Sequence, residues 1–175
     1  MNLHPEQAEM IDTGSTLAIF HCGPEQDRSA ALQGVLSRGV RARKRANQVQ
    51  VRFAEQVSAV DTLEGIVHAK LGDAIVTGLI GELWPIPRAS FAARYQAVPP
   101  LDMGAPGLYL SLPIDVVAVR MQAPFGVLLA DGHSRLTGQA GDWLIDYGDG
   151  NLGIVAASIF DATYEILGQA DMESD

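Results

Sequence analysis

Cysteine is nearly missing from this chain: Cys22 stands alone among 175 residues. No disulfide can form within the chain, and a reducing compartment is the natural setting, so a cytoplasmic protein is expected. Long apolar runs are missing too. Stretches such as Ile114 to Val119 and Val127 to Ala130 are strand-sized, far below the roughly 20 residues a membrane helix needs. The opening MNLHPEQAEMID has no basic region and no apolar core, so it does not read as a secretory signal. Positive charge is scarce: 12 Lys and Arg against 21 Asp and Glu give a net charge of −9. An acidic surface repels phosphate backbones, so neither nucleic acid nor an anionic membrane is an expected partner. The exception is RGVRARKR, Arg38 to Arg45, with five cations in eight residues. It reads as a solvated strand-leading segment whose charge keeps a sheet edge soluble, or as a contact for an acidic partner.

Metal spacings are also lacking. His4, His21, His68 and His133 form no HxxxH, there is no CxxC, and the acidic residues are scattered, so no metal or cofactor is expected. No GxSxG elbow is present, and the glycine turns Gly78–Gly81 and Gly148–Gly150 have no Walker lysine.

What is present is apolar residue in quantity, 47% of the chain, enough for a real core. Residues 1–40 read as an N-terminal extension: a helix over PEQAEMID, a strand in STLAIFHC, and a helix with Asp27 as N-cap through Leu36. From Arg41 the apolar period becomes two, as in Val49, Val51 and Phe53. Short strands follow, Ala74 to Thr77 and Glu82 to Ile86, the latter ended or confined to an edge by Pro85 and Pro87. A short helix, ASFAARY, sets Phe91 and Tyr95 four apart on one face. Gln96 to Pro113, rich in Pro and Gly, reads as irregular.

The pattern then returns. Residues 72–95 and 141–164 align at a constant shift of 69 with seven identities, including Gly72/Gly141, Asp73/Asp142, Phe91/Phe160 and Tyr95/Tyr164. Upstream, Val49 to Phe53 matches Val117 to Met121 at a shift of 68. Glycines for turns, apolar residues for strand faces and an aromatic pair for the helix give the repeat a structural logic. The fold expected is α+β: two tandem small antiparallel β-rich units, 41–98 and 112–167, each closed by a short helix, with an N-terminal helical extension, a linker at 99–111 and a disordered tail at 168–175.

The first unit reads RARKR, VQVRF, DTLEG, GDAIVTG, GELWPIP and FAARY, and the second VAVRM, APF, AGDWLID, GNLGIV and FDATY. Both resemble a small bacterial and phage-encoded family named for a PGDYG motif. The proline before Gly-Asp is replaced by Leu71 and Ala140, and the second unit has Gly153-Ile154 where the first has Trp84-Pro85. The resemblance carries no catalytic residues to transfer. It implies a phage or mobile-element origin.

Three chemical candidates remain. Asp131, His133 and Ser134 bring an acid, an imidazole and a hydroxyl together, although Asp-Gly here also suits a hairpin turn. Cys22 is a lone thiol with no obvious activator nearby. Trp84 and Arg88, in a rigid WPIPR segment, are the best binding candidates, being residue types that anchor interfaces. Asp73 and Asp142 read as turn formers. The functional expectation is a non-enzymatic binding or assembly module with a protein partner favoured over a small molecule. The alternative is a small hydrolase or transferase using His133 or Cys22, or a small-molecule sensor. Oligomeric state is not legible.

Overall fold

The computed structural model describes residues 17–170. The segment expected to form the first helix, and His4 with it, lies outside these residues. In chain order the elements are β1 (Ala18–His21), a 3-10 turn (Glu25–Asp27), α1 (Ala30–Leu36), β2 (Val40–Lys44), β3 (Gln48–Phe53), β4 (Ser58–Thr62) and β5 (Gly65–Ala69). Next come β6 (Ala74–Thr77), β7 (Leu83–Ile86), α2 (Arg88–Arg94), β8 (Tyr95–Ala97), β9 (Gly107–Ser111) and β10 (Ile114–Arg120). The chain closes with β11 (Phe125–Leu128), β12 (Arg135–Gly138), β13 (Trp143–Asp146), β14 (Leu152–Val155), α3 (Ala157–Thr163) and β15 (Tyr164–Gln169). The fold is α+β and β-rich, and its strand pairs are antiparallel except β1 with β11. Among the described residues no helix is long and apolar enough to cross a membrane.

Two five-stranded sheets form the body, in the orders β7-β6-β3-β9-β8 and β14-β13-β10-β2-β15. Their registers correspond. Val49 faces Tyr109 as Val116 faces Ala42, Val51 faces Val76 as Ala118 faces Ile145, and Tyr95 faces Ser111 as Tyr164 faces Lys44. Each sheet has its short helix on one face: Phe91 and Tyr95 pack on Val49, Val51 and Val76, and Phe160 and Tyr164 pack on Val116, Ala118 and Ile145. The opposite faces carry hairpins. The β4–β5 pair covers Ile75 through Val60 and Ala69, while β11–β12, β1 and α1 bury Phe20, Leu32, Phe125 and Leu144.

The connectivity is crossed. β2 leads directly into β3, yet it pairs with β10 and β15 of the second sheet. β9 leads directly into β10, yet it pairs with β3 and β8 of the first. The crossovers touch: Ser111 N–H donates to Asn47 O at 2.8 Å, and Asn47 N–H donates to Ser111 Oγ at 2.8 Å.

Five sequence expectations need correction. The cationic segment does not lie on a sheet edge; its strand β2 is interior, with Ala42 fully buried and Arg41 and Arg43 pointing outward. The region 99–111 is not wholly irregular, because Gly107–Ser111 alternates and forms β9 once the prolines at 99, 100 and 106 are passed. The upstream repeat shift is 67, not 68: Ala54 N–H bonds to Asp73 O and Met121 N–H to Asp142 O. A one-residue slip turns a strand over, so Val117, Val119 and Met121 face the hairpin side, and Val116 and Ala118 take the places of Val49 and Val51. Finally, Ser29 rather than Asp27 caps α1, its Oγ accepting from Leu32 N–H at 3.1 Å, because Asp27 is already held in the 3-10 turn. At the other end β15 continues through Gln169, so residues 168 and 169 are strand and not tail.

Candidate functional site

Between the two sheets, beside the crossovers, lies a crevice of about 450 Å³. A cavity of this size where two halves of a fold meet is a usual place for a ligand. The interior strand β2 delivers Lys44 to it, α2 delivers Arg94, β7 delivers Trp84, and the helix-terminal residues Tyr95 and Tyr164 face in with Tyr147.

The aromatic walls are built diagonally. In the first sheet Trp84 lies close to Gly78, where an added Cβ would come within 2.7 Å of the indole ring. In the second sheet the corresponding positions are exchanged. Tyr147 stands where Gly78 would, and its ring covers Gly153, where an added Cβ would lie 2.8 Å from the phenol oxygen. The aromatic residue absent from position 153 is thus replaced by one six residues earlier. Each of these rings has a cation against it: Lys44 Nζ is 5.6 Å from the Trp84 ring centre, and the Arg94 guanidinium is 4.5 Å from that of Tyr147.

The two cations differ. Arg94 is salt-bridged to Asp149. Burial works against charge on Asp149, but the hydrogen bond from Asn151 and the nearby guanidinium outweigh it and lower its pKa. Lys44 has no carboxylate bridge among the described residues. Its surface reaches the crevice, while the surrounding protein desolvates the ammonium; burial first, and the Arg94 charge second, lower its pKa to about 8 against a partial counter-effect from Glu82. Glu64, at the β4–β5 turn on the same crevice, is pushed up to about 7 by burial, with Asp142 and Glu82 adding repulsion. Burial raises the phenols of Tyr95, Tyr147 and Tyr164, so all three stay protonated donors at neutral pH.

Of the residues singled out from sequence, Trp84 lines the crevice, whereas Arg88 does not: it is exposed, with its guanidinium 6.0 Å from the Phe53 ring centre. Asp131, His133 and Ser134 close the β11–β12 hairpin. Asp131 accepts from His133 N–H at 2.8 Å, Ser134 N–H at 2.7 Å and Ser134 Oγ–H at 2.6 Å. Some desolvation opposes the charge of Asp131, but the Ser134 and His133 bonds prevail and lower its pKa. Asp131 borders the crevice; the His133 imidazole is exposed, and Ser134 is buried beneath the turn. With the Ser134 hydroxyl donating to Asp131 and accepting from His68 N–H at 3.3 Å, the trio is not brought into a nucleophile–base geometry.

Cys22 sits outside the crevice. Its Sγ accepts from Leu152 N–H at 3.2 Å, and burial raises its pKa, the reverse of an activated thiol. Asp73 and Asp142 each accept a backbone N–H three residues upstream, from Lys70 at 2.8 Å and Gln139 at 2.9 Å, and close matching turns. Among the described residues no group of three or more His, Cys, Asp or Glu could hold a metal ion.

Sequence reasoning missed Lys44, Arg94, Glu64 and Tyr147. One signal was available for Lys44. In Val40-Arg41-Ala42-Arg43-Lys44 the period of two puts Lys44 on the same face as Val40 and Ala42, the inward one.

The family model described as PGDYG protein matches residues 65–165, more than half of the chain and a span running from β5 in the first half to β15 in the second, and the chain belongs to that family. No curated protein and no solved structure matches.

Proposed function

We propose that this PGDYG family member is a binding module whose ligand is a small molecule held in the crevice between its two sheets. The observation that carries this reading is Lys44, a desolvated cation without a carboxylate partner among the described residues, set against the rings of Trp84 and Tyr95 at 5.6 and 5.9 Å. An unpaired buried charge is costly to keep. A ligand with a planar apolar body and an anionic or strongly polar group would relieve that cost. The crevice wall also carries Glu64, Asp73, Glu82 and Asp131, so the ligand's anionic group is assigned to the Lys44 ammonium alone.

A protein partner anchored by Trp84 and Arg88 together is the less favoured reading, because Trp84 faces the crevice and Arg88 faces away. We also infer that the two halves descend from one duplicated unit. The matched registers support this, and the second half has kept the frame while losing the lysine: Ser111 occupies the place of Lys44.

The test is a thermal-shift series of aromatic carboxylates against the wild type and the Trp84→Ala, Lys44→Met and Arg88→Ala variants. A true ligand at a hundredfold excess over Kd stabilises by about 2.7 kcal/mol, several degrees of midpoint. The shift should vanish in Trp84→Ala and Lys44→Met and persist in Arg88→Ala. A flat series, together with a protein partner whose capture needs Arg88, would overturn the proposal.

A further inference from the structure

We propose that Lys44 is a carbonyl-reactive amine that condenses with an aldehyde or ketone group of the crevice's ligand to form an imine. The inference deepens the crevice reading and rests on it. Ten of the twelve cations in the chain are arginine; the lysines are Lys44 and Lys70. Both border the crevice, but Lys70 is exposed to solvent whereas Lys44 is half-buried against the Trp84 and Tyr95 rings. Its backbone is fixed in an interior strand, opposite Tyr164 on one side and Ile114 on the other, so the side chain has a defined origin and direction. No carboxylate among the described residues bridges to the amine, so its lone pair is not committed once the proton leaves.

The chemistry needs nothing beyond water and the ligand. The ammonium first gives its proton to solvent. The nitrogen lone pair then attacks the carbonyl carbon, the C=O π pair moves to oxygen, and the now positively charged nitrogen loses a proton that passes through water to that oxygen, giving a neutral carbinolamine. Loss of water forms the C=N bond, so amine and carbonyl go to imine and water with no oxidant or reductant. Burial and the neighbouring Arg94 charge lower the Lys44 pKa to about 8, leaving an appreciable neutral fraction at physiological pH, as reactive lysines require. Tyr95, held as a protonated phenol on the same wall, can donate a hydrogen bond to the carbonyl oxygen.

The experiment treats the full wild-type chain with 4-formylbenzoate and cyanoborohydride at pH 7.5, then maps the reduced adduct by peptide mass spectrometry. A parallel thermal-shift measurement uses 4-(hydroxymethyl)benzoate, which fits the same space and cannot form an imine. The expected result is labelling of Lys44 at least about tenfold faster than Lys70, suppressed by the alcohol analogue and lost in Lys44→Arg. If the alcohol analogue stabilises the protein but Lys70 is labelled as fast as Lys44, the imine inference falls and the crevice reading stands. If neither binding nor selective labelling occurs, both fall.

Discussion

Lys44 sets the energetics at the level of single residues. Its folded pKa, about 8, lies below the value near 10.5 of a free lysine. The unfolded chain therefore binds the extra proton between those values, and stability rises with pH across that window. Below about pH 8 the full cost of burying the charge is present. Lys44→Met should be more stable than wild type at pH 7 by roughly 1–3 kcal/mol, the difference shrinking above pH 8. Urea melts at pH 7 and pH 9.5 measure this. Glu64 has the opposite sign: its pKa is raised to about 7 from 4.5, so the folded state holds the proton longer and stability falls as pH rises from 4.5 to 7. Glu64→Gln should match wild type below pH 4.5 and exceed it above pH 7. Thermal midpoints that run parallel across this range would contradict the desolvated placement of Glu64. At Gly153 a side chain would meet the Tyr147 phenol at 2.8 Å. Gly153→Val should therefore displace that ring and cost about 1–3 kcal/mol, visible in a chemical melt.

At the level of elements, the Gly-Asp turns are the most readable part of the chain because everything they need is local. Gly72 at φ +86° and Gly141 at φ +96° adopt a conformation that L side chains avoid, and the aspartate that follows takes up a backbone N–H. Gly72→Ala and Gly141→Ala should each lose about 1–2 kcal/mol, checked by thermal denaturation. The strands after these turns, the short helices and their aromatic pairs were legible for the same reason: Phe91 stacks on Tyr95 and Phe160 on Tyr164, both at 4.8 Å, as their spacing of four requires. The upstream strand register was not legible. VAVRM looks like VQVRF, but both neighbouring registers of β10 offer apolar residues, since Val116 to Val119 is apolar throughout. Only burial on both faces of that strand reveals which residue faces the helix.

At the level of the whole molecule, no local feature of β2 or β9 says which sheet either will join. An interior strand presents two ladder edges, and its partners are chosen by chain topology far away in sequence. That choice also makes the crevice, because the crossing brings Lys44 of β2 opposite Tyr164 of the second sheet while Arg94 arrives from the helix on the first. The site was therefore scattered through the sequence as one inward lysine in a cationic run, one arginine at a helix end, two tyrosines that read as anchors and a third, Tyr147, that drew no reading; among its aromatic and cationic residues Trp84 alone was recognisable. The crossing is testable with fragments. Residues 48–111 contain every strand of the first sheet, whereas residues 41–98 keep β2 and lack β9. The 48–111 fragment should show the stronger β signature and the more cooperative melt by circular dichroism. A cooperative 41–98 fragment beside an unstructured 48–111 would contradict the strand exchange.

The most direct test of the crevice as a ligand site is native mass spectrometry of the full chain purified gently from its own cells. The expected result is an excess mass below about 1 kDa, the scale of a ligand filling such a cavity, that is released on denaturation and absent from Trp84→Ala and Lys44→Met. A bare chain that instead carries a stoichiometric protein partner, retained in both variants and lost in Arg88→Ala, would contradict it.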